Sequence, residues 1–397
     1  MKGICIIFLF LCSIAWGQDG KKFVINGSVP GIKDGLEVGL YNNNFEKVTE
    51  ATAKTKDGKF VLEGSLEQPV LCFLIIDMSP EIEDMFQKDR RGSILFLDNS
   101  VMTYSCESVD SLPGIYDGGS KVKVEGSPTH SLYDVYMKSL ADLRKKNSEL
   151  DEKYLEVYHR PALDGVFNTR EGLAIVREMD KVGKQIQEKR WQFLKAHGNS
   201  VVGIQVGTEI LYSAGNSYTK TRIDEVLAAI DPSLRQGEAY AGLKELAENM
   251  YPVAKGEKYM DIELTDVDGK TVRLADYVKP GEYTMLEFWA SWCGPCRGEI
   301  PHLRHVHEVY GDAFNLVSIS IDEREKDWKK ALKEERMNWT QLNDRKGMQG
   351  PVITKYKVYG VPYSLILDGE GRVVAGGVRG SELDNILIEL LGDKFEK

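Results

Sequence analysis

Three successive hydrophobic patterns along the chain predict an α+β multidomain protein, with an all-β N-terminal domain, a helical middle region and a C-terminal α/β domain on a mixed central sheet. Short β-rich runs separated by turn pairs come first. Apolar residues three or four apart follow, and then strands alternate with helices. The length of 397 residues supports the division, because a single core stops growing well before that size. The expected boundaries are 1–17 for a leader, 18–126 for the β-rich domain, 127–250 for the helical region and 251–397 for the last domain.

The opening MKGICIIFLFLCSIAWG carries a lysine at position 2, an apolar run from Ile4 to Ile14 and small residues at Ala15 and Gly17. It reads as a secretory signal peptide cleaved after Gly17, since the run is too short to cross about 30 Å of hydrocarbon. Leu11 stands before Cys12, where a lipobox needs a small residue, so a lipid anchor is not expected. Export, most simply to a periplasm, is the expectation. Cleavage leaves Cys72, Cys106, Cys293 and Cys296, in a compartment where thiols oxidise unless a reductant is supplied.

In the β-rich region, KFVIN, LEVGLY, KFVLEGSL, VLCFLIID, SILFL and KVKVEG are punctuated by turn pairs such as Asp57-Gly58 and Gly118-Gly119. Ser127 then reads as a helix cap, with Pro128 in the first turn. Segments such as REGLAIVREMDKVGKQIQEKRWQFLKAHG and RIDEVLAAIDPSLR continue the helical pattern. Their aromatic residues, Trp191 and Phe193 among them, read as core. After Pro252, MDIELTDVDGKTVRL reads as a hairpin turning at Asp268-Gly269, and YTMLEFWA as a buried strand. A helix to about Tyr310 follows, then the strand FNLVSISI, a helix capped by Asp322, a segment around Trp339, a helix over VITKYKV, the hairpin YSLILDGEGRVVAGG and a helix from Ser381.

Composition excludes some function classes. Hydrophobic residues make up 42% and charged residues 28%, an ordinary globular balance, and the formal charge is -10 with no Lys/Arg-rich block to neutralise phosphates. Nucleic acid is not an expected partner.

The chemistry centres on FWASWCGPCRGEIP, residues 288–301. A zinc site would need a second close pair of ligands, which Cys72 and Cys106 do not form. The predicted elements place Cys293 between a buried strand and the first turn of a helix, where unpaired N–H groups and the helix dipole favour a thiolate. Cys296, one turn later, is placed to attack a mixed disulfide made by Cys293 and release the reduced substrate. Cys293 is therefore the expected nucleophile and Cys296 the resolving thiol. Glu287 stands in a strand expected to be buried on both faces, so its pKa should rise and it could carry protons for Cys296. His302, His305 and His307 crowd one helix, but 307 points away from the other two and no carboxylate or cysteine clearly completes a set, so no metal is expected. No cofactor is expected either. Cys72 and Cys106 are open between free thiols and one structural disulfide.

The segment EFWASWCGPCRGEIP resembles the active-site segment of the thioredoxin superfamily, in particular the exported TlpA and ResA-like thiol:disulfide oxidoreductases, over about residues 255–395. Pro301 sits where thioredoxins carry a helix-kinking proline, and GVPYSLILD matches the segment of their cis-proline. The resemblance thus implies a cis bond at Val361-Pro362, turning the Val361 backbone toward the dithiol to pair with an extended substrate. It matches Glu287 to a buried acid, and Glu299 to a glutamate beside the dithiol that is a second candidate proton carrier. Trp292, Gly294 and Pro295 are implied to tune the site, and the Gly-Pro dipeptide resembles that of reducing members. The stretch from Phe314 to Trp339 resembles the insertion of the TlpA and ResA subgroup. The β-rich domain resembles a module of unknown function found ahead of such domains in exported proteins of Gram-negative bacteria.

What the resemblance implies is a protein-disulfide reductase acting on disulfide-containing exported proteins, apocytochrome c being one candidate, and recharged by a membrane-embedded thiol electron donor. Two other readings stand beside it. The first 250 residues could make the chain an envelope binding module for a partner or glycan, with the dithiol as a redox regulator. A peroxiredoxin-like peroxidase would need a peroxidatic cysteine with a nearby Thr and Pro, where this chain has C-x-x-C.

Overall fold

The computed structural model describes residues 22–84, 87–115 and 121–395. The signal peptide read at 1–17 and the Gly118-Gly119 turn lie outside the described residues. The chain divides into two compact units, residues 1–135 and 136–397.

The first unit carries strands β1 (Phe23–Ser28), β2 (Glu37–Tyr41), β3 (Lys47–Lys54), β4 (Lys59–Gly64), β5 (Val70–Asp77), β6 (Arg90–Leu97), β7 (Val101–Ser105) and β8 (Lys123–Glu125). They form two four-stranded sheets, ordered β4-β1-β7-β8 and β3-β2-β5-β6. Alternation decides which side chains enter the core: Phe23 and Ile25 of β1, Leu40 of β2, Leu62 of β4 and Leu74 of β5 are all fully buried in one apolar cluster. The Asp57-Gly58 turn has positive φ at both residues, 49° and 75°, the geometry that a tight hairpin needs. β3 lies at a sheet edge and is rich in Lys, Glu and Thr, which protects it from pairing with another chain but weakens its signal in the sequence. Cys106 falls just beyond β7 rather than within a strand. It and Cys72 are free thiols.

Helix α1 (Pro128–Tyr154) starts at Ser127, whose hydroxyl accepts the His130 N–H at 2.9 Å as a cap does. In the second unit one π-helical turn, Leu155–His159, and the short α2 (Arg160–Leu163) follow it. Then come α3 (Thr169–His197), α4 (Val201–Ala214), α5 (Lys220–Ala228) and α6 (Glu238–Met250). Ser200 and Thr219 cap α4 and α5 by accepting the N–H groups of Gly203 and Arg222. Trp191 is buried and hydrogen-bonds the Tyr218 hydroxyl.

The remaining elements are β9 (Glu263–Asp266), β10 (Thr271–Arg273), β11 (Tyr283–Trp289), α7 (Gly294–Tyr310), β12 (Phe314–Ser320), α8 (Glu325–Glu335), β13 (Thr340–Asn343), α9 (Pro351–Thr354), β14 (Tyr363–Leu367), β15 (Val373–Gly376) and α10 (Ser381–Leu391). The sheet is mixed and seven-stranded, ordered β10-β9-β13-β12-β11-β14-β15. β11 lies at its heart, parallel to β12 and antiparallel to β14. From Thr284 to Trp289 every residue of β11 is buried, as a strand covered on both faces requires.

Two local expectations are corrected. Asp322 does not cap α8; that helix begins at Glu325 with Arg324 at its N-cap and no side-chain cap. The Asp322 carboxylate instead accepts from the Ser291 N–H at 2.8 Å, the Ser291 hydroxyl at 2.6 Å and the Ser320 hydroxyl at 2.7 Å. The VITKYKV stretch is helical only through Thr354, and Lys357 then takes a left-handed φ of 56° that helix cannot continue through.

Candidate active site

Strand β11 ends at Trp289 and the chain turns through Ala290, Ser291 and Trp292 before α7 begins. The Asp322 carboxylate fixes this turn by its bonds to Ser291. Cys293 occupies the N-cap of α7 in an extended conformation, and its sulfur accepts the Cys296 N–H at 3.1 Å. The helix thus directs one of its unpaired N–H groups at the sulfur, and an anion there is stabilised by that bond and by the helix dipole.

Cys293 and Cys296 are joined as a disulfide. Cys293 is 5% exposed and Cys296 fully buried, whereas the neighbouring Trp292 is 66% exposed. Pro295 lies in the first turn of α7 and Pro301 within the helix. A Cβ at Gly294 would meet nothing within 4 Å, so packing does not demand glycine there. The Val361-Pro362 bond is cis. It precedes β14, and the Val361 carbonyl oxygen lies 3.5 Å from the Cys293 sulfur. Beside Trp292 a cleft of about 220 Å³ opens, lined by Ile321, Asp322, Glu323, Arg324 and Met348.

Glu287 projects from β11 and is 3% exposed, flanked in register by Ser318 on β12 and Ser364 on β14. Burial pushes its carboxyl up to about 8; a hydrogen bond from Ser318 opposes the rise, and the charge of Glu299 adds to it. Ser318 in turn accepts the Trp339 indole N–H at 2.8 Å, which leaves its one hydroxyl proton for Glu287. Oε2 of Glu287 has no hydrogen-bond partner among the described residues. A carboxyl that exchanges its proton near neutral pH suits acid–base work.

Glu299 is engaged differently. Its Oε1 accepts the Gly380 N–H at 2.8 Å and faces Nδ1 of His302 at 3.0 Å. Burial pushes this carboxyl up, but the His302 hydrogen bond and charge, together with the Gly380 N–H and the charge of Arg379, outweigh it and hold Glu299 below the usual carboxylate range. The proton-carrying part of its expected role therefore fits it poorly, because it stays ionised. His302 is itself buried, with Nε2 2.8 Å from Asp384 Oδ1. Burial alone would lower its pKa; Asp384 and Glu299 together raise it to about 10. His305 stacks on Phe167 at 4.8 Å, and His307 lies beside Trp339. Among the described residues no group of three His, Cys, Asp or Glu side chains is placed to hold a metal ion.

Sequence reasoning missed Asp322 as the clasp on the Ser291 turn, and Asp384 as the second anchor of His302. Asp384 lies 82 positions beyond His302, and no local pattern links the two.

Residues 255–375 match the model of the AhpC/TSA family, and residues 23–133 match that of a domain of unknown function, DUF4369. The chain is 26% identical over 137 residues to the thiol-disulfide oxidoreductase ResA of Bacillus thuringiensis, covering 34% of this chain and 76% of that protein. Among solved structures it resembles the thioredoxin domain of a thiol-disulfide oxidoreductase from Bacteroides vulgatus, at 33% identity and TM-score 0.33 over 35% of this chain and 98% of that one. A thiol:disulfide interchange protein from Bacteroides sp. is 31% identical with TM-score 0.33, over 36% and 93%. The C-terminal part of the chain is a thioredoxin-like domain of the AhpC/TSA family. The protein is a thiol-disulfide oxidoreductase that carries an N-terminal module of unknown function. A peroxidase is not favoured, since the cysteines pair within one helical turn and the named relatives are thiol-disulfide oxidoreductases.

Proposed function

We propose that this protein is exported and reduces disulfides in other exported proteins through Cys293 and Cys296. The Cys293 thiolate attacks a substrate disulfide, forming a Cys293–substrate bond and expelling one substrate thiolate. Cys296 then gives up its proton to the ionised form of Glu287 and attacks the Cys293 sulfur. That step closes the Cys293–Cys296 disulfide and expels the second substrate thiolate, so two electrons pass from the dithiol to the substrate. The observation that carries the reading is the Cys293 sulfur at the helix start, accepting the Cys296 N–H, with the Val361 carbonyl alongside. In this reading the Val361 backbone pairs with an extended substrate strand, while Trp292 and its cleft receive the residues that flank the substrate cysteine.

The closed disulfide must be reduced again, which outside the cytosol calls for a membrane-embedded thiol donor. Among the described residues no helix is long and apolar enough to cross a membrane. Apocytochrome c, with its paired haem-attachment cysteines, is one candidate substrate within this reading. The test is turnover: the mature full-length chain should precipitate insulin in the presence of dithiothreitol well above the rate with dithiothreitol alone. A rate equal to that control contradicts a reductase.

A further inference from the structure

The middle helical region contacts the buried cluster around His302. Tyr158, on the π-helical turn after α1, donates its hydroxyl to Asp384 Oδ2 at 3.2 Å, and Asp384 Oδ1 holds His302. Tyr154 accepts the Ser381 N–H at 3.1 Å and stacks on Tyr158 with ring centroids 5.3 Å apart. Two glycines make the fit possible. A Cβ on Gly172 of α3 would lie 2.1 Å from Ser381 Oγ and 2.5 Å from Tyr158 Cδ2, and one on Gly380 would lie 2.5 Å from the Tyr154 hydroxyl. Such close approach on both sides of one buried charge cluster means that the tyrosines are seated with little freedom.

We infer that the middle helical region is a working part of the redox site: Tyr158 and Asp384 hold the His302 imidazole, His302 holds the Glu299 carboxylate, and Glu299 presses its charge on Glu287. Tyr158 and Asp384 are then positioning residues for the dithiol chemistry, although Tyr158 lies far ahead of the cysteines in the chain. This inference rests on Glu287 as the proton carrier proposed above. The charged and titratable groups around the cluster are Tyr154 and Tyr158 from the middle region, His305 on α7, Arg379, Glu382 and Asp384 at α10, and Glu287 from β11.

The sign follows from the chain of contacts. Without the Tyr158 hydroxyl, Asp384 is a stronger base and takes a larger share of the His302 proton. Glu299 is then less neutralised, and Glu287 is harder to ionise. The test is the pH profile of mixed-disulfide release in the full-length protein, compared among wild type, Tyr158→Phe, Gly172→Ala and Glu287→Gln. Gly172→Ala removes no titratable group but wedges Tyr158 aside. The inflection should move to higher pH in Tyr158→Phe and Gly172→Ala, by about half a unit or more, and vanish in Glu287→Gln. An inflection that stays put in both of the first two, even with a lowered Tm, makes the contact structural only and overturns the inference. An inflection that persists in Glu287→Gln yet still moves with Tyr158→Phe removes Glu287 as the carrier and leaves the coupling standing.

Discussion

Replacing Cys296 with alanine should leave the protein covalently joined to its substrates through Cys293, while Cys293→Ala should trap nothing and lose disulfide reduction by about a thousandfold or more, because no other activated nucleophile is at hand. The asymmetry has a structural basis. Cys293 sits at the N-cap with a backbone N–H directed at its sulfur, whereas Cys296 is sealed one turn into the helix. Removing Cys296 takes away the thiol placed to resolve a mixed disulfide. The other two described thiols are poor substitutes. Burial pushes Cys72 up to about 12 and raises Cys106 as well, so at neutral pH both are almost wholly protonated. Non-reducing electrophoresis of each variant expressed in its native cells reads the result as dithiothreitol-sensitive bands. Adducts that run through Cys72 or Cys106 would contradict the assignment.

Glu287→Gln should slow release of the substrate more than the initial attack, by about a hundredfold, because a proton acceptor serves Cys296 only after the mixed disulfide has formed. Stopped-flow reduction separates the two steps, and equal slowing of both would make Glu287 a structural strand residue. The same change should alter stability in a pH-dependent way. In the folded protein Glu287 keeps its proton up to about pH 8, whereas the ordinary value is 4.5. The folded state therefore binds the extra proton between these values, so the stability this group contributes is fully present below 4.5 and lost as pH rises through about 8, on the order of a few kcal/mol in all. Glutamine stays neutral, so the variant should gain on wild type steadily across that window. His302, raised to about 10, contributes stability that is lost as pH rises from its ordinary 6.5 through that higher value. That loss occurs in both proteins and cancels in the difference. Denaturant midpoints at a series of pH values check it; a constant offset would contradict the buried, protonated carboxyl.

The parts of this protein that were legible in the sequence are those written in short spacings. Three residues from Cys293 to Cys296, a buried and mostly apolar strand before them and a proline in the first helical turn suffice to place a dithiol at a helix start. Glu287 was legible because a lone acid inside a fully buried strand must be either paired or protonated. The Ser127 cap and the Asp57-Gly58 turn are local chemistry of the same kind. Asp322 shows where local reasoning misleads: an acid just before an amphipathic helix looks like a cap, yet the carboxylate is drawn to Ser291 and Ser320 by the parallel pairing of β11 and β12. Strand β3 was obscured by the charges that protect a sheet edge. The Glu299–His302–Asp384–Tyr158 chain was beyond reach altogether, since it joins α7 to a helix near the C-terminus and to a turn in the middle region, and only the folded packing brings them together.

The central claim, that the helix start makes Cys293 the attacking thiolate, is tested most directly by the pH dependence of alkylation in the fully reduced protein. With iodoacetamide and peptide mapping, Cys293 should be modified first, with a midpoint well below the value of about 8.5 for an unperturbed thiol. A Cys293 that titrates like a free thiol, or a Cys296 that is alkylated before it, would contradict the account.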